Sequence, residues 1–254
     1  MAMLNRRLLI RVLFFVLPLA LGGPASATTI LVYISRDSTA IAADSQANRI
    51  EGGTRKICKI SQTSPTMMFA AVGIGHFDNP PFDPYELART VANRTSDPAS
   101  AASQYATDAI SPLQNIWNRI RSRYLEIGRS NGLSTEDLGI CFVFAGISSA
   151  NRLVAAGGCF KDQPPSATLS FTPFTIEPTT ESDVYFWRSG VTSALPDDAS
   201  VARLIGERGV PAALEQLITK QAEASPNLVA LPATVVTVRR DGKIEWHSRG
   251  ACSQ

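Results

Sequence analysis

Ala25-Ser26-Ala27-Thr28-Thr29-Ile30-Leu31-Val32 is the stretch on which the reading of this chain turns. To its left lies a segment with the marks of a secretory signal. Arg6, Arg7 and Arg11 give a positive start, Val12 to Leu21 is apolar, Gly22-Gly23-Pro24 breaks any helix, and Ala25-Ser26-Ala27 is a small-x-small cleavage pattern. The apolar run is shorter than the roughly 20 residues a spanning helix needs. Cleavage after Ala27 is therefore expected in preference to anchoring, with residues 1–27 removed and no stable membrane span left. To the right, Thr29 to Ile34 is β-branched and apolar and reads as a strand buried on both faces. A cut at this junction would start the mature chain with Thr28, placing a hydroxyl and a free amine on one residue.

Composition supports a folded domain. Of the 254 residues, 44% are apolar and 18% charged, enough for a sizeable core and too few charges for a disordered chain. The net charge of +2 is offset once the three leader arginines are set aside, leaving a near-neutral chain with no electrostatic case for nucleic-acid binding. Arg6-Arg7 is compatible with twin-arginine as well as general export. Either route predicts a periplasmic or secreted protein. The four cysteines, Cys58, Cys141, Cys159 and Cys252, would meet oxidising conditions there. Cys141 and Cys159 flank an expected hairpin at similar distances from its turn, which makes them the best candidate pair. With only His76 and His247 in the chain, neither a metal site nor a cofactor is expected.

Further along, Thr39 to Ala43 returns as a second strand, Lys56 to Ile60 alternates as a short strand, and Thr66 to Val72 is another buried strand ending in Gly73-Ile74-Gly75. The period then changes. Asp83-Pro84 starts a helix running to about Asn93, and Ser96-Asp97-Pro98 starts a longer one with Ala106, Ile110, Leu113, Trp117, Ile120, Tyr124 and Ile127 on one face. Strands follow at Gly139–Ile147, Arg152–Ala156 and Val184–Trp187, then helices at Ala199–Glu207 and Pro211–Ala224. A terminal hairpin spans Ala233–Val238 and Lys243–His247. Strands, two helices, strands, two helices, strands is not a doubly wound order. It predicts an α+β fold, a four-layer αββα sandwich in which two packed antiparallel sheets carry a helix pair on each outer face. Residues 28–254 would form that single domain.

Thr28-Thr29-Ile30, followed by Ile41-Ala42-Ala43-Asp44-Ser45-Gln46-Ala47, resembles the start of proteasome β-subunits and of the related bacterial ring peptidase. Both belong to the N-terminal-nucleophile (Ntn) hydrolases. Asp44 follows Thr28 at the family's separation, Arg55-Lys56-Ile57-Cys58-Lys59-Ile60 resembles the family's lysine-led strand, and Met67 to Gly73 resembles its strand and glycine turn. Arg188-Ser189-Gly190 is similar to its Gly-Ser-Gly turn. The chain departs at Ser225 to Pro232, where the family has an acid and a Ser-Gly-Gly that support the amino terminus.

The resemblance implies a threonine protease. Thr28 Oγ1 would be the nucleophile, its own amine the base, Lys56 the neighbouring charge, Asp44 the partner that fixes the lysine, the Gly73 N–H the oxyanion donor, and Ser189 a support. By the same match Ala47, Thr54, Cys58 and Ala71 would line the pocket for the residue before the cut bond. These are uncharged, which predicts apolar preference. The substrate would be a peptide or unfolded protein segment, and the assembly, by family resemblance, a homo-oligomeric ring. Two alternatives stand beside it: an amidase of the same fold acting on a small molecule, and a degenerate Ntn scaffold that binds or assembles without catalysis.

Overall fold

The computed structural model describes residues 24–26, 28–49, 54–134 and 138–252. The signal-peptide assignment falls almost wholly on residues 1–23 and 27, which lie outside the described residues. Pro24–Ser26 (β1) is described as a short strand in its backbone.

The site is carried by strands on two sheets. Thr29–Ser35 (β2) and Ser38–Ala43 (β3) form a tight hairpin with Ile30 opposite Ala43. Its residues are almost all buried, in keeping with the unbroken apolar sequence. Gln46–Arg49 (β4) and Thr54–Lys56 (β5) follow, then Ile60–Ser64 (β6) and the fully buried Met67–Ile74 (β7). A two-stranded ribbon, Phe77–Asp78 (β8) with Pro81–Phe82 (β9), leads into the helix Pro84–Ala92 (α1). Asp83 caps α1 by accepting from the amides of Tyr85 and Glu86 at 2.8 and 3.1 Å, with Pro84 at the first position. The helix Pro98–Ser130 (α2) runs 33 residues.

Ile140–Ile147 (β10), Leu153–Gln163 (β11) and Thr168–Ile176 (β12) form a meander, and Val184–Gly190 (β13) returns alongside β2. The helices Asp198–Arg208 (α3) and Val210–Ala224 (α4) precede the closing hairpin Thr234–Arg239 (β14) and Ile244–Arg249 (β15).

The larger sheet runs β12-β11-β10-β7-β1-β4-β5, with β6 paired to β7 off that path; the smaller runs β13-β2-β3-β14-β15. All strand pairs are antiparallel. One apolar cluster joins Ile30, Val32, Ile41 and Val236 to Met68, Ala70, Val143 and Leu153. A second gathers Phe69, Phe142 and Phe144 with Tyr105, Leu113 and Trp117 of α2, where the rings of Tyr105 and Phe142 lie 4.4 Å apart. A third packs Leu214, Leu217 and Ile218 of α4 on Leu31, Ala42 and Val235.

The expected four-layer αββα sandwich with matched helix pairs is corrected. Among the described residues the fold is mostly antiparallel β-sheet, with 38% in strands against 31% in four helices. Backbone pairing supplies the difference. The expectation placed β1 in the leader, assigned no strand to β4 and ended β11 at Ala156, whereas that strand continues to Gln163. The larger sheet also branches, since β7 pairs with β10, β6 and β1. The helices are unequal, 9 and 33 residues in one pair and 11 and 15 in the other. No helix among the described residues is long and apolar enough to cross a membrane.

Candidate functional site

The expected strand Lys56 to Ile60 is broken, and the break decides the site. Residues 57–59 lie outside any strand between β5 and β6. Lys56 ends β5 in solvent, exposed like its two strand neighbours. Lys59, only 1% exposed, turns inward instead. Its Nζ lies 3.0 and 3.1 Å from the two carboxylate oxygens of Asp44 and donates to Thr28 Oγ1. Thr28 and Asp44 are each also 1% exposed. The lysine expected at 56 is thus corrected to Lys59. The polar run Ser61-Gln62-Thr63-Ser64 in β6 hid the true strand start, because it carries no alternating apolar signal.

Thr28 is held from its far side. Its carbonyl accepts from the Val191 amide at 2.9 Å, directly after β13. Gly190 has φ +87°, and a Cβ there would run into the Thr28 carbonyl, so only glycine lets the turn approach so closely. Thr29 is pinned twice. Its amide donates to Asp44 Oδ1 at 2.8 Å and its hydroxyl to the Val191 carbonyl at 2.6 Å. Ser189 is buried on β13 opposite Ile30, next to this turn but one step removed from Thr28.

Asp44 is the hub. Besides Lys59 and Thr29 it accepts from the Gln46 amide at 2.9 Å and the Ala230 amide at 3.4 Å. The Ser225–Pro232 segment, which holds no acidic residue and no glycine, therefore contributes through its backbone. The Ala230 carbonyl accepts from the amide and hydroxyl of Ser45 at 3.0 and 3.2 Å, and the Asn227 carbonyl from Gln46 Nε2 at 2.5 Å. Gln221, wholly buried on α4, fixes the start of this segment by donating to Ser225 Oγ while accepting from the Ala194 amide, each at 3.0 Å. Sequence reading missed Lys59, Gln46, Gln221 and Val191. Only Lys59 left a signal, as the second lysine of an alternating run.

Burial dominates the electrostatics of the pair. It lifts the Asp44 carboxyl above its ordinary value, opposed by the Lys59 charge and the Thr29 and Gln46 amides. It pulls Lys59 below its ordinary value, opposed by Asp44. A buried ammonium beside a carboxylate is a directed hydrogen-bond donor to the Thr28 hydroxyl, and its lowered pKa makes it release a proton more readily than a solvated lysine.

Gly73 is in β7 with φ +97°, opposite Ser26 of β1. A Cβ there would sit 2.9 Å from the Ile140 Cα, so the residue is confined to glycine by its neighbour as well as its dihedral. β1 links β4 to β7 and is antiparallel to both. Pro24–Ser26 thus occupy a slot one strand wide. Adjacent strands lie about 4.8 Å apart, so β4 and β7 stand about 10 Å apart across it.

Of the expected pocket residues, Ala47 is buried on β4 and Ala71 on β7 beside Phe142. Two expectations are corrected. Thr54 sits exposed on β5 at the sheet edge. Cys58 is bonded to Cys252 and carries no free thiol. Cys141 and Cys159, directly opposite on β10 and β11, form the second disulfide. Among the described residues no group of three or more His, Cys, Asp or Glu side chains is placed to hold a metal.

No family model matches this chain, and no curated protein matches it either.

Proposed function

We propose that the chain is the precursor of an exported threonine-type hydrolase that cleaves amide bonds in peptides or unfolded segments, with Thr28 as nucleophile once the leader is removed. The observation that carries this reading is the sealed contact of Lys59 with both Thr28 Oγ1 and Asp44. A hydroxyl needs a nearby base, and cutting before Thr28 would free an amine on the same residue. The positive charge of Lys59 would favour the neutral form of that amine. Asp44 would hold Lys59 in place and, through Thr29, fix the residue beside the nucleophile.

In the reaction the Thr28 amine takes the Oγ1 proton as the oxygen attacks the substrate carbonyl. The Gly73 N–H donates to the developing oxyanion. Collapse breaks the C–N bond, the departing amine takes up the proton, and an acyl-Thr28 ester remains for water to release. Loss of the leader would empty the β1 slot, where an extended peptide could pair with β4 and β7 in β1's place. Such main-chain pairing favours peptides over compact small amides. Ala47 and Ala71 are small and uncharged, consistent with apolar side chains before the cut bond.

A panel of fluorogenic peptides offered to the mature protein tests this. Hydrolysis is expected, with apolar residues favoured, and Thr28→Ala is expected to abolish it. Equal rates in wild type and Thr28→Ala contradict the reading, and a clear preference for acidic or basic residues contradicts the pocket assignment.

A further inference from the structure

We propose that the Cys58–Cys252 disulfide positions Lys59, so that the Thr28–Lys59–Asp44 contact is assembled only while that bond is oxidised. The proposal rests on the reading of Lys59 given above. Residues 57–59 have no strand ladder to hold them. Two ties remain on the residues leading to Lys59: the Ile57 amide donates to the Ser45 carbonyl at 2.8 Å, and Cys58 is bonded to Cys252.

The far end of that bond is anchored to β14, which pairs with the strand that delivers Asp44. The Cys252 amide donates to the Arg249 carbonyl at 2.6 Å, and Cys252 Sγ lies 3.5 Å from Thr234 Oγ1. Thr234 Oγ1 itself donates to the Arg249 carbonyl at 3.0 Å. Gly250, at φ +51°, lets the tail pass against Thr234, where a Cβ would collide with its hydroxyl. Thr234 is in turn paired with Ala43, the residue before Asp44. A closed circuit therefore runs from Lys59 through Cys58, Cys252 and Thr234 to Ala43 and Asp44. The two charges are fixed relative to each other by a covalent link that closes a separation of 194 residues.

Opening the circuit needs a reductant. A dithiol supplies two electrons and two protons, the Cys58–Cys252 S–S bond breaks to two thiols, and the dithiol becomes its own disulfide. Cys58 is partly exposed and offers the sulfur for attack, while Cys252 is buried.

The test compares oxidised mature protein with Cys58→Ser/Cys252→Ser and, as control, Cys141→Ser/Cys159→Ser. Peptide hydrolysis and hydrogen exchange of residues 55–61 are followed together. Loss of the Cys58–Cys252 bond is expected to lower kcat at least tenfold with little change in KM, to shift the pH midpoint of kcat, and to speed exchange in 55–61 while β2 and β7 stay protected. The control is expected to leave exchange in 55–61 unchanged. Should the double variant not fold, graded dithiol reduction of wild type followed by alkylation and mass mapping gives the same comparison, and reoxidation of a reduced sample that has not been alkylated is expected to restore activity. Full activity and unchanged exchange in molecules alkylated at both Cys58 and Cys252 would overturn the proposal. Oxidised protein that neither hydrolyses peptides nor loosens at 55–61 on reduction overturns both readings. Loosening without any hydrolysis overturns only the catalytic one.

Discussion

Lys56 and Lys59 are three residues apart and have opposite fates. The pair shows what spacing can and cannot decide. Both fit an alternating run beginning a strand, and only the direction of the backbone at 57–59 selects between them. Lys59→Met is expected to remove activity and to cost about 3–5 kcal/mol at neutral pH, because it leaves a buried carboxylate without its partner. The cost depends on pH with a definite sign. Without Lys59, burial holds the Asp44 pKa above its unfolded value, so the native state takes up a proton more readily than the unfolded one. The destabilisation is then full above the native pKa and fades as pH falls towards the unfolded value near 4. Denaturant unfolding of wild type and variant at several pH values measures it. Lys56→Met, at an exposed strand end, is expected to stay within about 0.5 kcal/mol and to keep activity.

Gly190 argues the same point from the backbone. Its positive φ and its contact with the Thr28 carbonyl both exclude a side chain. Gly190→Ala is expected to destabilise by about 1–3 kcal/mol and to reduce kcat, since it displaces Thr28, the proposed nucleophile. The sequence signalled this turn only as Arg-Ser-Gly. That glycine, more than Ser189 itself, makes the contact.

At the level of elements, legibility followed apolar pattern. The strands β2, β3, β7 and β10 and the four helices were readable because each buries a continuous or periodic apolar face. The strands β4, β5 and β6 were not, since they are short, polar or exposed and exist through their neighbours' hydrogen bonds. Those are the strands that frame the site. The Ser225–Pro232 segment shows the converse case. Its residue types carry no acid and no glycine, yet its carbonyls and one amide reach Ser45, Gln46 and Asp44, and backbone groups leave no trace in sequence. Gln221→Ala should therefore matter to this region. It strands a partly buried Ala194 amide and releases Ser225, with an expected cost of about 1–3 kcal/mol in chemical denaturation and a fall in activity through Asp44. Trp117→Ala, in the α2 face against the larger sheet, is expected to cost about 3–5 kcal/mol, as removal of a 1%-exposed indole leaves a cavity.

Over the whole molecule, the two sheets bring together groups that are far apart in the chain. Thr28 comes from the head of β2, Asp44 from the end of β3, Lys59 from the link before β6, and Val191 from the end of β13. The order of strands and helices was legible, but the expected layered sandwich was not the outcome, because edge strands and a branched β7 extend the larger sheet. Both disulfides suit an oxidising compartment, and the described residues contain no free cysteine. Opening the Cys58–Cys252 link is expected to lower unfolding free energy by about 2–5 kcal/mol, as expected for a bond that closes a long loop, and denaturation with and without reductant measures it.

The junction before Thr28 carries the central claim, because every partner gathered around that residue makes chemical sense for a nucleophile that becomes the first residue. Intact-mass analysis of the mature protein before and after treatment with a peptide epoxyketone measures the new N-terminus and its reactivity together. The account predicts a chain beginning at Thr28 that gains one inhibitor mass at that residue, with no gain in Thr28→Ala or Lys59→Met. A mature chain beginning elsewhere, or a Thr28 terminus that takes up no inhibitor, would contradict it.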